Sequence, residues 1–230
     1  MNNLNRKSYH PKWGDDQVYD ILPNAKKIIL GSMPPKKLCL DYAGKRFKNT
    51  TDINYFYGSN KNIFWNILGY IYENDNRENL GDNKLLFADN IEDTVFLRKK
   101  FMHNNYIGLV DIFKSCIHGD EYSDSKIEYE EDDLIDLCDI LTKNSEITQI
   151  YCTSNYVKNK LKKHFIDELH YIHDSDKKNY KHAEIKIKNI DRKIELFVLY
   201  SPTFKVGYRM LKNDKNNYLK YYKKLLENKK

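Results

Sequence analysis

Short apolar segments that stop at polar or turn-forming residues are the feature that most restricts the folds open to this chain. Residues 25–30 end at the turn 31–35, residues 106–110 end at Asp111, and a third segment spans 147–152. Each segment is too short for a buried helix and has the length of a buried strand. The sequence therefore predicts several buried strands.

Amphipathic stretches lie between these strands. Ser59 or Asn60 is expected to cap a helix whose apolar residues recur at helical spacing from Ile63 to Tyr72. Strands that alternate with helices indicate an α/β fold with a mainly parallel sheet. The further predicted elements are helices at 85–101, 134–141, 155–164 and from about 213, and two neighbouring strands at 184–190 and 194–200.

Composition excludes several classes of protein. The 230 residues include 39 Lys+Arg and 33 Asp+Glu, for a formal net charge of +6, and 40% are hydrophobic, enough for a substantial core. No apolar run approaches the roughly 20 residues that span a bilayer. The polar segment 1–14 lacks the apolar stretch of a secretion signal. We therefore expect a cytoplasmic protein that does not contact membranes.

The cysteines and histidines give no sign of a metal site. No Cys-x-x-Cys pair occurs, and the seven histidines show no metal-ligand spacing. Zinc and iron–sulfur sites usually need such local grouping. We expect no metal, no cofactor and four reduced thiols, at Cys39, Cys116, Cys138 and Cys152.

Polar loops at the ends of the predicted strands are where a functional site is expected. In open α/β sheets, ligands bind beyond the carboxyl ends of the strands. Three such ends carry polar or turn-forming residues, namely 31–35, Asp111 and 201–202.

Four sequence blocks follow one another along the chain, and all but the second fall on these loops: ILGSMP at 29–34, FYGSNKNIFW at 56–65, GLVDI at 108–112, and YSPT at 200–203. Together they resemble the uracil-DNA glycosylase superfamily, closest to its hypoxanthine-DNA (deoxyinosine) glycosylase and mismatch-specific glycosylase branch. The resemblance implies a three-layer α/β/α sandwich. It also implies one glycosylase-like domain over 1–230, with a core at about 26–207 and a basic C-terminal helix at about 213–228.

The activity that the resemblance implies is hydrolysis of an N-glycosidic bond in DNA. A monofunctional enzyme of this kind flips a nucleotide out of the duplex and releases its base. We expect a monomer that binds duplex DNA with a flipped nucleotide, or single-stranded DNA. The residues that match base-binding positions are Gly31, Ser32, Met33, Tyr57 and Phe64. For the loop 31–35 an ordinary strand-to-helix turn is the alternative, and for Phe64 it is burial in the core.

Two residues match catalytic positions. Asn62 corresponds to the asparagine that is thought to place the attacking water in the deoxyinosine branch, and Asp111 to the residue that reads the base edge. A helix N-cap or a residue of the first helical turn is the alternative for Asn62, and a supporting residue or helix cap is the alternative for Asp111. The chain departs from relatives at Met33, where many carry Asp or Asn, and at Tyr200, where the best-known branch carries His.

Contacts to DNA phosphates are implied for the second signature loop and its neighbours. These residues are Ser123, Ser125, Ser201, Pro202, Thr203, Lys205 and Arg209. A solvated face is the alternative for Lys205 and Arg209. The Lys- and Tyr-rich stretch 212–230 is expected to be an amphipathic terminal helix rather than a nucleic-acid contact.

Two other functions stay open at the level of sequence. The same chemistry can serve antiviral defence by removing bulky modified bases from phage DNA. The unusual stretch 41–52 and Met33, in place of a polar residue, are compatible with a base pocket of changed shape. A catalytically inactive nucleic-acid-binding module is the second, favoured by Met33 and Tyr200.

Overall fold

The computed structural model describes residues 7–11, 18–39, 52–73, 86–118, 126–172 and 182–227, apart from the side chains of Phe204 and Tyr208. The predicted DNA contacts Ser123 and Ser125, and nearly all of the stretch 41–52, lie outside these ranges. Within them, no helix is both long and apolar enough to cross a membrane.

A seven-stranded mixed sheet forms the centre of the structure, in the order β2-β4-β3-β7-β10-β9-β8. The neighbours β4, β3, β7 and β10 are parallel, whereas β2, β9 and β8 pair antiparallel with their neighbours. A smaller antiparallel sheet has the order β1-β5-β6. The strands are β1 (Lys7–Tyr9), β2 (Tyr19–Asp20), β3 (Lys27–Gly31), β4 (Ile107–Asp111), β5 (Ser115–His118), β6 (Ile127–Glu128), β7 (Gln149–Cys152), β8 (Ile166–Tyr171), β9 (His182–Ile187) and β10 (Lys193–Val198).

The prediction of a mainly parallel sheet is therefore wrong, because parallel and antiparallel pairs are equally frequent in it. Only the four central strands are parallel to one another. The connection between β9 and β10 spans only residues 188–192, with Asn189 in the left-handed region at φ 60°. Such a tight turn joins antiparallel strands, since a parallel pair needs a crossover of a dozen residues or more.

In the part of the chain that the structure describes, five α-helices accompany the sheet: α1 (Phe64–Tyr72), α2 (Ile91–Asn104), α3 (Leu137–Lys143), α4 (Asn155–Phe165) and α5 (Phe204–Leu226). Helix α1 begins after Ile63, so the predicted capping by Ser59 or Asn60 is wrong. Helix α5 begins nine residues before the expected start near 213. Asp214 interrupts it with φ −158° and ψ 61°, and its Oδ1 accepts a hydrogen bond from the Asn217 amide at 3.3 Å. The predicted start therefore corresponds to the point where α5 resumes.

Apolar side chains pack on both faces of the sheet because successive strand residues point to opposite sides. Ile28 and Leu30 of β3 belong to one cluster, together with residues of α3 and α4. Ile29 belongs to the other cluster, with residues of α1, α2 and α5.

Helix α5 is amphipathic, as expected. Its tyrosines Tyr218, Tyr221 and Tyr222 are buried in the core, and lysines such as Lys220 are exposed. The buried Lys27 ammonium fixes its far end by donating to the carbonyl oxygens of Leu225 at 2.7 Å and Glu227 at 2.5 Å. A cation at the carboxyl end of a helix also interacts favourably with the helix dipole.

Asp133 connects the strands β1 and β5 of the small sheet through its side chain. Its Oδ1 accepts hydrogen bonds from the Lys7 ammonium at 2.6 Å and from the Ser115 hydroxyl, and its Oδ2 from the Glu130 amide at 2.9 Å. Burial acts to raise the pKa of the Asp133 carboxyl. The donors at Glu130, Lys7 and Ser115 outweigh burial and hold this pKa below its usual value.

Asp133→Asn should therefore destabilise the protein in a pH-dependent way. A lowered pKa in the folded state stabilises it above the pKa of the unfolded chain, and this stabilisation disappears as pH falls through the folded value. We expect the free energy of unfolding to drop by about 1–3 kcal/mol at pH 7, with a smaller difference below about pH 4. Urea titrations at several pH values measure both.

Asp139→Asn is the matched control for this measurement. Asp139 pairs with Lys143 at 2.7 Å on the exposed face of α3, so its loss should cost no more than about 0.5 kcal/mol. A destabilisation by Asp133→Asn that stays constant down to pH 3 would contradict the assignment.

Candidate active site

Two parallel strands bring the first predicted loop and Asp111 together. Gly31 ends β3 and is paired in register with Asp111 at the end of β4. The Ile112 amide donates to the Gly31 carbonyl at 2.9 Å, and the Phe113 amide to the Ser32 carbonyl at 3.1 Å. These backbone hydrogen bonds fix the two loops at the carboxyl edge of the sheet.

Gly31 leaves room for two polar side chains above its Cα atom. A Cβ at this position would lie 2.1 Å from Oδ1 of Asp111 and 2.7 Å from Oη of Tyr57. No residue with a side chain fits there without displacing one of them. A buried carboxylate and a phenol from distant parts of the sequence thus converge on the same point.

The loop that carries Tyr57 is held in a strained but well-braced conformation. Tyr57 has φ 53°, in the left-handed region that costs a non-glycine residue about 1–2 kcal/mol. The Ile53 amide donates to the Gly58 carbonyl at 2.8 Å, and the Trp65 indole N–H to the Phe56 carbonyl at 2.8 Å. The loop therefore imposes the conformation that places the phenol of Tyr57.

Asp52 anchors the same loop from its other end. Its buried carboxylate accepts a hydrogen bond from the backbone amide of Asn60 at 2.7 Å. It also forms an ion pair with the Lys37 ammonium at 2.5 Å. Lys37 lies in the 3₁₀ turn Lys36–Leu38 that follows the loop 31–35. Asp52 thus links the turn that follows the first sequence block to the second block.

Asn62 lies beside the fourth sequence block. It forms an isolated β-bridge with Thr203, and the adjacent Ile63 amide donates to the Pro202 carbonyl at 2.8 Å. Oδ1 of Asn62 accepts a hydrogen bond from the Phe64 amide at 2.9 Å. Because Ile63 is the N-cap residue of α1, Asn62 does not cap the helix, and its hydrogen bond closes a turn immediately before it. The amide N–H₂ group of Asn62 has no partner among the described residues.

Tyrosines of α5 support the loop 200–203. The Tyr222 hydroxyl donates to the Tyr200 carbonyl at 2.7 Å, and the Tyr218 hydroxyl to the Ser201 carbonyl at 3.5 Å. The Tyr200 hydroxyl accepts a hydrogen bond from Asn217 at 3.2 Å. Burial, and then the nearby Asp214, raise the pKa of Tyr200. Tyr200 is thus a neutral phenol whose hydroxyl faces α5. It occupies the position where the best-known branch of the resembled superfamily carries histidine.

The other predicted base-binding residues are more deeply buried than Tyr57. Phe64 has no exposed surface, and its ring centroid is 4.4 Å from that of Tyr57. Met33 is buried in the cluster that includes α3 and α4, on the opposite face of the sheet from Phe64. Phe64 is therefore packed in the core, which was the alternative to base binding for this residue. Its ring supports the ring of Tyr57.

The predicted DNA contacts that the structure describes lie together near the start of α5. Thr203, Lys205 and Arg209 are exposed, Ser201 is half-buried and Pro202 is buried. Lys205 and Arg209 are four residues apart in the helix, so they share one face.

His10 is a member of the site that sequence reasoning missed. Its Nε2 lies 3.1 Å from Oδ2 of Asp111, and both side chains are buried. The two residues are 101 positions apart, and His10 precedes all four sequence blocks, so no local pattern marks it. Over the described ranges, no group of three or more His, Cys, Asp or Glu side chains is arranged to hold a metal ion.

The structure therefore belongs to the mixed α/β folds whose polar side chains gather at the carboxyl ends of parallel strands. It is similar to a solution NMR structure from Methanosarcina acetivorans, described as a putative uracil DNA glycosylase, with a TM-score of 0.52. The two sequences are 19% identical, and the match covers 91% of this chain and 96% of the other. No protein-family model and no curated protein matches the chain. The structural likeness supports the predicted resemblance at the level of fold.

Proposed function

We propose that this protein is a monofunctional DNA glycosylase that flips a damaged or modified base, of the hypoxanthine or uracil type, out of DNA and excises it hydrolytically. The observation that carries the proposal is the convergence of Asp111 and Tyr57 above Gly31, at the edge of the sheet where the resembled enzymes carry out this chemistry. The shared fold supports it. The two apolar clusters on opposite faces of the sheet support the three-layer arrangement that goes with it.

The proposed reaction uses two polar groups in different roles. Breaking the N-glycosidic bond leaves positive charge on the sugar and negative charge on the departing base. Asp111 accepts a hydrogen bond from an N–H group of the base edge, such as N1–H of hypoxanthine or N3–H of uracil. Asn62 directs a water through its amide oxygen, which has a second lone pair besides the one that accepts from Phe64.

The products follow from the bonds that change. The bond between the base and C1′ of the sugar breaks, and a bond from the water oxygen to C1′ forms. One water proton passes to the departing base or to solvent. The products are a free base and an abasic site, and the proposal includes no metal and no cofactor.

DNA contact is proposed for the surface near Thr203. Exposed cations at Lys205 and Arg209 can neutralise phosphates, and the hydroxyls of Ser201 and Thr203 can donate to phosphate oxygens. The same role is proposed for Ser123 and Ser125. The protein is proposed to act as a monomer.

A base-release screen tests the proposed function. Oligonucleotides that contain uracil, hypoxanthine, xanthine or modified cytosine are incubated with the protein in the presence of EDTA, and free bases are measured by mass spectrometry. We expect release of hypoxanthine or uracil, and none of the four normal bases. DNA that is bound but unchanged across the whole panel would contradict the enzymatic proposal and indicate an inactive binding module. Release of only bulky modified bases from phage DNA would indicate antiviral defence instead.

A further inference from the structure

The N-terminal strand β1 delivers His10 to the candidate active site. Strand β1 pairs with β5, where Tyr9 is opposite Ser115, and the His10 amide extends this ladder by donating to the Lys114 carbonyl at 3.0 Å. Because Lys114 follows Asp111 by three residues, the ladder holds His10 beside the end of β4. The imidazole ring also packs against Phe56, with ring centroids 5.7 Å apart.

The two oxygens of the Asp111 carboxylate have different surroundings. Oδ2 lies 3.1 Å from Nε2 of His10, at the buried side. Oδ1 lies above Gly31, over the point that the hydroxyl of Tyr57 also approaches. A buried carboxylate is costly unless donors satisfy its oxygens. An imidazole N–H on Oδ2 both satisfies that oxygen and limits rotation of the carboxylate plane, so that Oδ1 keeps facing the site.

We infer that His10 is a positioning residue, which donates its Nε2–H to Oδ2 of Asp111 and thereby directs Oδ1 toward the base edge. The inference rests on the proposed function for its effect on base release. It assigns the N-terminal strand, which lies outside all four sequence blocks, to the site. Without this donor the Asp111 carboxylate can turn, and Oδ1 loses its fixed direction.

His10→Phe should slow base release by about ten- to a hundredfold, the range for groups that orient a functional side chain. Phenylalanine preserves the packing on Phe56 but removes the donor. His10→Gln should recover most of the rate because its side-chain amide can donate to the same oxygen. Single-turnover rates on the substrate found in the base-release screen measure both variants, and the Kd for lesion DNA should change less than about twofold because the DNA-contact surface is untouched.

A double-mutant cycle with Asp111→Asn separates positioning from general support of the fold. If His10 acts through Asp111, His10→Phe should cost less than about twofold in the Asp111→Asn background, since residues that act as one unit are not additive. An equal cost in both backgrounds, or a failure of His10→Gln to recover the rate, would overturn the inference.

His182→Phe is the matched control. His182 is a largely buried histidine whose ring stacks on Phe197 with centroids 4.3 Å apart, and whose Nε2 lies 3.6 Å from a Glu195 oxygen. It lies on β9, on the other side of β10 and β7 from the site. Its replacement should leave base release unchanged and show no coupling to Asp111→Asn.

The tautomer of His10 tests the inference independently of activity. Long-range ¹H–¹⁵N spectra should show the proton on Nε2 in the wild-type protein, and its signal should shift or disappear in Asp111→Ala. If the wild-type protein released no base while this signal was present, the proposed function alone would fail and the positioning of Asp111 by His10 would stand. A proton found only on Nδ1 would overturn the inference whatever the activity.

Discussion

Replacing Gly31 with alanine is expected to lower the rate of base release by about 10²–10³-fold, the cost of losing one well-placed hydrogen bond in the transition state. The new methyl group would lie 2.1 Å from Oδ1 of Asp111 and 2.7 Å from the Tyr57 hydroxyl. Both side chains must move to accommodate it. The glycine has no unusual backbone conformation, so the fold should persist with a loss of about 1–3 kcal/mol in the free energy of unfolding.

Gly108→Ala is the control for this prediction. Gly108 is a glycine in the neighbouring strand β4, and a Cβ there would meet the side chain of Ile21, at 2.8 Å from its Cγ1. The variant therefore introduces a milder clash in the neighbouring strand without touching Asp111 or Tyr57. Single-turnover rates and urea titrations of both variants are compared. If Gly31→Ala kept more than a tenth of the wild-type rate, the convergence on Gly31 would have no part in catalysis.

The central strands were predictable because each of them contains a short run of apolar residues in the sequence. Strands β3, β4 and β7 lie within one or two residues of the apolar segments 25–30, 106–110 and 147–152. The edge strand β8 was missed. Its residues, Ile166–Tyr171, are mostly polar, and it follows α4 without an intervening turn. Only pairing with β9 makes it a strand, and that long-range contact leaves no local pattern.

The candidate site also contains residues that the sequence marks and contacts that it does not. Gly31 and Asp111 were both placed at the ends of predicted strands, where ligands bind in open α/β sheets, and the register of the two strands pairs them. The contact between His10 and Asp111 depends on a three-residue strand of the small sheet. Neither periodicity nor a motif marks that strand. The bracing of Tyr57 by Phe64 likewise depends on how α1 packs, which the apolar spacing of its residues does not specify.

Asn62→Ala is expected to retain binding of lesion DNA while turning over about 10²–10³-fold more slowly, because it removes the group that places the water. The same change also removes the acceptor of the Phe64 backbone amide in the turn before α1, which should cost about 1 kcal/mol of stability. The loss of rate therefore has two candidate causes, and alanine alone does not distinguish them.

Asn62→Ser distinguishes them, because a serine hydroxyl can accept from the same backbone amide but cannot reproduce the reach of the asparagine amide. We expect Asn62→Ser to restore most of the stability and to remain nearly as slow as Asn62→Ala. A wild-type rate for the serine variant would assign Asn62 only to holding the turn before α1. Asp111→Asn replaces an acceptor by a group that also donates, so it should alter which base is released as well as the rate. If Asn62→Ala cost less than about tenfold while Asp111→Asn abolished release of every base, the two roles would be reversed, with Asp111 activating the water.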